Sequence, residues 1–217
     1  MPRITAIEPQ KKKEARFNLY VDYKFATGVR PETLAKNNLS VGQNLSGAEL
    51  AKIILGEEQA KLMDKVLRFL STRPKSEREV KDYLTRKISD SQKVKFSQAK
   101  ESFLLKKIIA KLKDYKYIND REFTKWWLSA RISAKKGPRL IKYELLRKGI
   151  NRDIVESTLT GFKNQTLLAR AAIEKKLNNW QKLPGAKMKQ KVYQYLISRG
   201  FEYDTAKEVF AQIEKKR

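Results

Sequence analysis

Neither cysteine nor histidine occurs among the 217 residues of this chain. Without cysteine there is no disulfide and no thiolate chemistry. Without histidine the commonest general base near neutral pH and the commonest metal ligand are both missing. No apolar run approaches the roughly 18 residues that a membrane span needs, and Met1-Pro2-Arg3-Ile4-Thr5 lacks the apolar core of a secretory signal. Negative charge is scarce: 24 Asp plus Glu stand against 49 Lys plus Arg, for a net charge of +25. Such an excess disfavours self-association and favours polyanions, nucleic acid before an acidic membrane. The expectation is a soluble, cytoplasmic, monomeric protein with DNA, single- or double-stranded, contacted through its phosphates.

The positive charge is not confined to a tail. Residues 1–56, 57–118, 119–163 and 164–217 carry about +4, +8, +6 and +7. The folded units themselves are therefore basic, as an extended electrostatic footprint requires. A basic solubility surface is the plainer alternative.

A short motif recurs. Leu145-Leu146-Arg147-Lys148-Gly149-Ile150 reappears 51 residues later as Leu196-Ile197-Ser198-Arg199-Gly200-Phe201. A degraded copy, Tyr83-Leu84-Thr85-Arg86-Lys87-Ile88, puts Lys87 in the glycine position, 62 residues before Gly149. A period of this size marks a small supersecondary unit used repeatedly. Each glycine should end a helix, because glycine takes the left-handed conformation without steric cost.

The rest of the chain fits a mainly α fold of three tandem three-helix repeats behind a small β-containing segment. In residues 1–56, Arg16 to Asp22 alternates apolar and polar residues as a half-buried strand does. Ile4 to Ile7 is its expected partner, through a turn near Pro9 and Lys11-Lys12-Lys13, and Tyr23 to Ala26 is a third strand. Pro31 suits the first turn of a short helix. Ser46 with Glu49 is a capping box opening a helix towards Ile54. A three-strand sheet this small is marginal alone and should pack on the helical part. From Glu57 the period is helical: Leu62, Val66, Phe69 and Leu70 form one stripe. The repeats then read 57–118, 119–163 and 164–217. Their helix starts are marked by Ser76 with Glu79, Asn119 with Glu122, Gly137-Pro138 and Pro184-Gly185. The extra residues of the first repeat fall in Ser89 to Ser97, as a loop or a lengthened helix.

Candidate contact residues follow from the repeat. Arg86, Lys148 and Arg199 sit in the last turn of a helix, where a cation also compensates the macrodipole. Arg131, Lys135, Lys136, Arg139 and Lys142 surround the Gly137-Pro138 turn. Arg73 and Lys75 flank Pro74, and Lys187, Lys189 and Lys191 follow Pro184-Gly185. Helix starts with cations and free N–H groups suit phosphate, although a solvated charged face explains any one residue equally well. Adjacent helical residues point about 100° apart, so of Trp126 and Trp127 one should be core and the other a candidate stacking platform. Tyr115 and Tyr117 are expected to pack between units. Catalytic signals are weak. No P-loop or nucleophile motif is present, and Asp114, Asp120 and Glu122 read as helix-end residues rather than a metal site.

As an ordered set, several segments resemble the RecX family of recombinase regulators. These are Arg73-Pro74-Lys75-Ser76-Glu77, Tyr117-Ile118-Asn119-Asp120 with Phe123, Trp127-Leu128 and Arg131, then Gly137-Pro138-Arg139-Leu140, Glu144-Leu145, Lys148-Gly149-Ile150 and Arg199-Gly200-Phe201. The match spans about residues 58–217, and Lys87 with the stretch after it departs from the family pattern. The resemblance implies an elongated, curved array of three repeats. It also implies binding to the RecA recombinase and its DNA filament, lying along the filament groove. There such proteins modulate strand exchange, ATP hydrolysis and repressor co-cleavage. They are not enzymes and hold no cofactor or metal. A general nucleic-acid-binding protein without a recombinase partner is the alternative. A metal-dependent nuclease is a third class that the carboxylates do not favour.

Overall fold

The computed structural model describes residues 1–10, 13–162 and 164–215, with backbone alone at 13–15. Three strands open the chain: β1 (Ile4–Gln10), β2 (Lys13–Val21) and β3 (Lys24–Val29). They form one antiparallel sheet in the order β1-β2-β3. Of the expected first turn, Lys11 and Lys12 lie outside the described residues. The second is a two-residue turn in which Asp22 and Tyr23 both have positive φ, 48° and 62°. That is the turn whose twist suits a hairpin. Neighbours hold it: Arg3 N–H donates to Asp22 Oδ1 at 2.9 Å, and Tyr23 N–H donates to Thr5 Oγ1 at 3.0 Å. Ile4, Leu19, Val21 and Val29 bury one face of the sheet with Leu39, Leu45 and Ile53.

Two helices complete this core. Pro31 starts α1 (Pro31–Lys36), and the Ser46–Glu49 capping box starts α2 (Gly47–Ser71). The sequence suggested a helix ending near Ile54, but α2 runs through Gly56 as one 25-residue element. An interior glycine costs only about 1 kcal/mol, and the residue after it is anchored. Glu57 is fully buried. Its carboxylate accepts from Arg16 at 2.6 Å, from the Arg30 backbone N–H at 3.2 Å and from the Thr33 hydroxyl. Arg16 also donates to the Gly28 carbonyl at 3.2 Å. One carboxylate thus ties β2, the end of β3, α1 and α2, which is how the small sheet packs on the helical part.

Among the described residues nine helices follow: α3 (Glu77–Gln92), α4 (Phe96–Lys100), α5 (Phe103–Asp114), α6 (Asp120–Ser133), α7 (Pro138–Arg147), α8 (Arg152–Leu159), α9 (Gln165–Trp180), α10 (Gly185–Ser198) and α11 (Tyr203–Glu214). Residues 1–72 with 84–108 form one compact unit, and 73–83 with 109–217 form another. Inside the second, α6, α7 and α8 enclose Phe123, Trp127, Ile141, Leu145, Ile150, Val155 and Phe162. In the same way α9, α10 and α11 enclose Ile173, Val192, Leu196, Phe201, Ala206 and Val209. A shift of 51 residues carries Ile141, Leu145, Ile150 and Val155 onto Val192, Leu196, Phe201 and Ala206, all of them buried. Among the described residues, no helix is long and apolar enough to cross a membrane.

Burial corrects the alignment of the degraded copy. Val80, Leu84 and Ile88 are fully buried on α3, whereas Leu146, which the motif pairs with Leu84, is exposed. Val80 and Leu84 therefore match Ile141 and Leu145, a shift of 61, and Ser76 matches Gly137 at the helix start. Lys87 then corresponds to Lys148, and Ile88 stands where the glycine would be. The helix does not stop there. It continues to Gln92, and the left-handed residue is Lys93, φ 52°. The extra residues make a lengthened helix and then α4. Tyr115 and Tyr117 are not packing residues as expected: both are more than half exposed and lie edge to face at 6.2 Å.

Removing the Glu57 carboxylate strands a part-buried Arg16 guanidinium. Glu57→Ala should lower stability by about 3 kcal/mol or more. Urea denaturation would show it, and an unchanged midpoint would mean that the carboxylate is dispensable.

Candidate nucleic-acid interface and the joints between repeats

The repeated glycine does more than stop a helix. At the end of α10, Gly200 has φ +87°. The Gly137 N–H donates to the Arg199 carbonyl at 2.8 Å, and the Arg139 N–H donates to the Gly200 carbonyl at 3.0 Å. The start of α7 is thus seated on the end of α10. A Cβ on Gly137 would lie 2.4 Å from the Gly200 carbonyl, and one on Gly200 would lie 2.4 Å from the Leu140 Cβ. Both glycines are needed for the approach.

The start of α3 meets the end of α7 at matching positions. Ser76 Oγ donates to the Lys148 carbonyl at 2.8 Å, and the Glu77 N–H donates to Asp120 Oδ1 at 2.8 Å. Gly149, φ +79°, leaves room for Arg78, whose Cβ would be 2.8 Å from an added methyl. The sequence suggested these helix starts as free N–H sites for phosphate. Instead, the named N–H groups at both starts are engaged by protein oxygens.

The cations at the α3–α7 joint are largely neutralised. Arg73 donates to Glu79 at 2.8 and 3.2 Å, and Lys148 also donates to Glu79. Burial alone would raise the Glu79 carboxyl, but bonds from Arg73, Lys148 and the Ser76 N–H outweigh it and hold the pKa down to about 2. Arg131 donates to Glu144 at 2.5 Å, and its guanidinium lies 4.0 Å from the Trp127 ring centre. The Trp127 Nε1–H donates to the same carboxylate at 3.0 Å. Trp127 is buried and Trp126 half-buried beside Arg73, the division expected for the pair. Lys75 is only 8% exposed, and burial, with Arg73 nearby, pushes its ammonium pKa down. An interior lysine is poorly placed to reach a phosphate. The cleft here, about 380 Å³, is lined by Glu79, Asp82 and Glu144 besides its cations.

Other candidates are spread more widely. Lys142 pairs with Glu156 at 3.1 Å. Arg139 is exposed and 4.0 Å from Glu202. Lys136 is half-buried, Arg86 lies exposed on α3, and Lys187, Lys189 and Lys191 are exposed on α10. Lys135 and Arg199 come together at the α7–α10 joint. Lys135 Nζ donates to the Ala171 carbonyl at 2.7 Å, and Arg199 donates to the Ala134 carbonyl at 3.3 Å. They border a cleft of about 540 Å³ that also takes in Lys175, Lys176, Trp180 and Tyr195. The sequence reading missed these four. Their signal was present: Lys176 and Trp180 are four apart on α9 and so share a face.

Family models for the RecX N-terminal domain and for the first, second and third three-helix domains match residues 2–46, 63–91, 119–159 and 168–210. A curated relative named regulatory protein RecX, from Bacillus subtilis, is 34% identical over 99% of this chain and 78% of its own length. The chain belongs to the RecX family. A RecX of Listeria monocytogenes is 32% identical over 94% of this chain and 73% of its own. Among solved structures, a regulatory protein RecX superposes with a TM-score of 0.67 at 26% identity, covering 96% of this chain and 98% of that one. RecX from Lactobacillus salivarius gives 0.61 at 25% identity, covering 73% and 98%. Family membership makes the regulatory role general to these proteins, and the N-terminal match gives the sheet segment a place in the RecX fold.

Two measurements test the joints. Gly137→Ala and Gly200→Ala should each cost about 2 kcal/mol or more, whereas Gly185→Ala, with open space at its Cβ, should change stability by less than about 0.5 kcal/mol. Equal urea midpoints for all three would remove the close approach as a constraint. For Glu79, the folded pKa lies below the unfolded one. Its stabilisation is therefore present above the unfolded carboxylate range and lost as pH falls towards about 2. Glu79→Gln should cost about 2 kcal/mol at neutral pH, with the gap to the wild type closing in acid. A gap independent of pH would contradict this charge assignment.

Proposed function

We propose that this protein is a non-enzymatic regulator that docks on RecA recombinase filaments, contacts their DNA and lowers recombinase activity in recombination and SOS repair. The observation that carries the reading is family membership across nearly the whole chain, in which the related proteins are named as regulatory. The charge supports it, since +25 is distributed over every segment and a long polyanion needs a long footprint. The same reading divides the chain into a leader (1–56) and repeats at 57–118, 119–163 and 164–217, with the second half of α2 as the opening helix of the first repeat. It places the protein in the cytoplasm as a monomer, with no cofactor.

The contact set favoured here is narrower than the cations picked by motif. Arg199, Lys135, Lys187 and Lys189 remain suited to a polyanion, as does Arg139, which is exposed and whose contact with Glu202 is long at 4.0 Å. Arg73, Arg131, Lys142 and Lys148 instead hold carboxylates. The reading is tested by RecA ATP hydrolysis and strand exchange on single-stranded DNA with added protein. Both should fall, and no change at saturating protein would refute it. A second reading, binding to bare nucleic acid without a recombinase, is favoured by the carboxylate-free cleft at Lys135 and Arg199. It wins if bare DNA competes for the protein as well as the filament does, with affinity falling steeply as salt rises.

A further inference from the structure

We propose that the cleft among the end of α6, α9 and α10 is a single-strand site that takes one nucleotide, phosphate on the cations and base against Trp180. The inference deepens the nucleic-acid part of the function above and rests on it.

Charge is the first argument. Lys135, Lys175, Lys176 and Arg199 line the cleft, and no Asp or Glu does. None of the four forms an ion pair among the described residues. The joint between α3 and α7 offers the contrast: its cleft carries three carboxylates, and its Arg131 and Lys148 are paired with two of them. Cations gathered without counter-charge repel one another and are poorly explained by stability. An anion would relieve that repulsion.

Shape and surface are the second argument. The cavity of about 540 Å³ falls in the range of small-ligand sites, enough for a nucleotide and far too small for a duplex. Lys176 and Arg199 lie 5.4 and 5.0 Å from the Tyr195 ring centre. Tyr195 in turn meets Trp180 edge to face at 5.7 Å and 73°. The cations are thus held in place by one aromatic, and the half-buried Trp180 supplies a second as the wall. Cations beside an aromatic platform are what a splayed base and its phosphate require. A chain of carboxylates would use the cations and leave the platform idle.

The test measures binding of labelled oligothymidylate by fluorescence anisotropy across a salt series. Lys175→Gln with Lys176→Gln alters exposed side chains and should fold normally. It should weaken binding and reduce the slope of log K against log salt by about 1.4. Trp180→Leu keeps an apolar side chain and should weaken binding about tenfold with the slope unchanged. Duplex of the same length should compete poorly. Unchanged affinity and slope in the lysine double variant would overturn the site, whatever the fate of Trp180→Leu. So would equal competition by duplex, or by poly-glutamate, the latter pointing to an acidic peptide. The two readings fail separately. If oligothymidylate binding is lost in the variants while wild type leaves RecA unaffected, the cleft stands and the recombinase role falls. If the variants bind normally while RecA is inhibited, the reverse holds.

Discussion

The joint between one repeat and the next rests on backbone meeting backbone. The first N–H groups of α7 bond the last carbonyls of α10, and this is possible because no side chain stands at Gly137 or Gly200. Helix ends leave unpaired groups that must find partners. Here the orphan donors of one helix satisfy the orphan acceptors of another. At the α3–α7 joint the Ser76 hydroxyl serves the Lys148 carbonyl, and Asp120, at the start of α6, accepts from the first N–H of α3. A few directional bonds thus fix the register of the two adjoining repeats, and Leu168 packs against the cores of both.

That arrangement sorts the cations. Those nearest the α3–α7 joint sit among Glu79 and Glu144, and they neutralise these carboxylates and cover the Trp127 ring. Those at the α7–α10 joint bond carbonyl oxygens or lie over an aromatic ring, and keep their charge available. Two joints of like geometry are thus electrostatically unlike. Exposure and partner identity, not the count of lysines, separate a structural cation from one that can meet a ligand.

Much of the fold was legible because its signals are local. The capping pairs Ser46–Glu49 and Ser76–Glu79, the cap Asn119, the prolines at 31 and 138, and the glycines at 149 and 200 act within a turn or two, and each appears where the sequence placed it. The continuity of α2 was not legible, because Gly56 reads as a break and Glu57 reads as a surface acid. Its burial depends on Arg16, 41 residues away. The copy around Lys87 was placed one residue off, since matching letters ignored which positions face inward. The cleft residues Lys175, Lys176 and Trp180 went unremarked because no motif contains them. They matter through proximity to Lys135 and Arg199, which the one-dimensional pattern does not display. The carboxylate partners of Arg73 and Arg131 were hidden for the same reason.

The joints also give the helices a common sense. The start of α3 adjoins the end of α7, and the start of α7 adjoins the end of α10. At each junction the half-positive end of one helix meets the half-negative end of the next, and the two cancel. Among the described residues, the start of α10 has no side-chain cap at Pro184, and Lys187, Lys189 and Lys191 follow. The formal charge is spread almost evenly along the chain, yet at the start of α10 three lysines stand close to the half-positive end of a helix dipole.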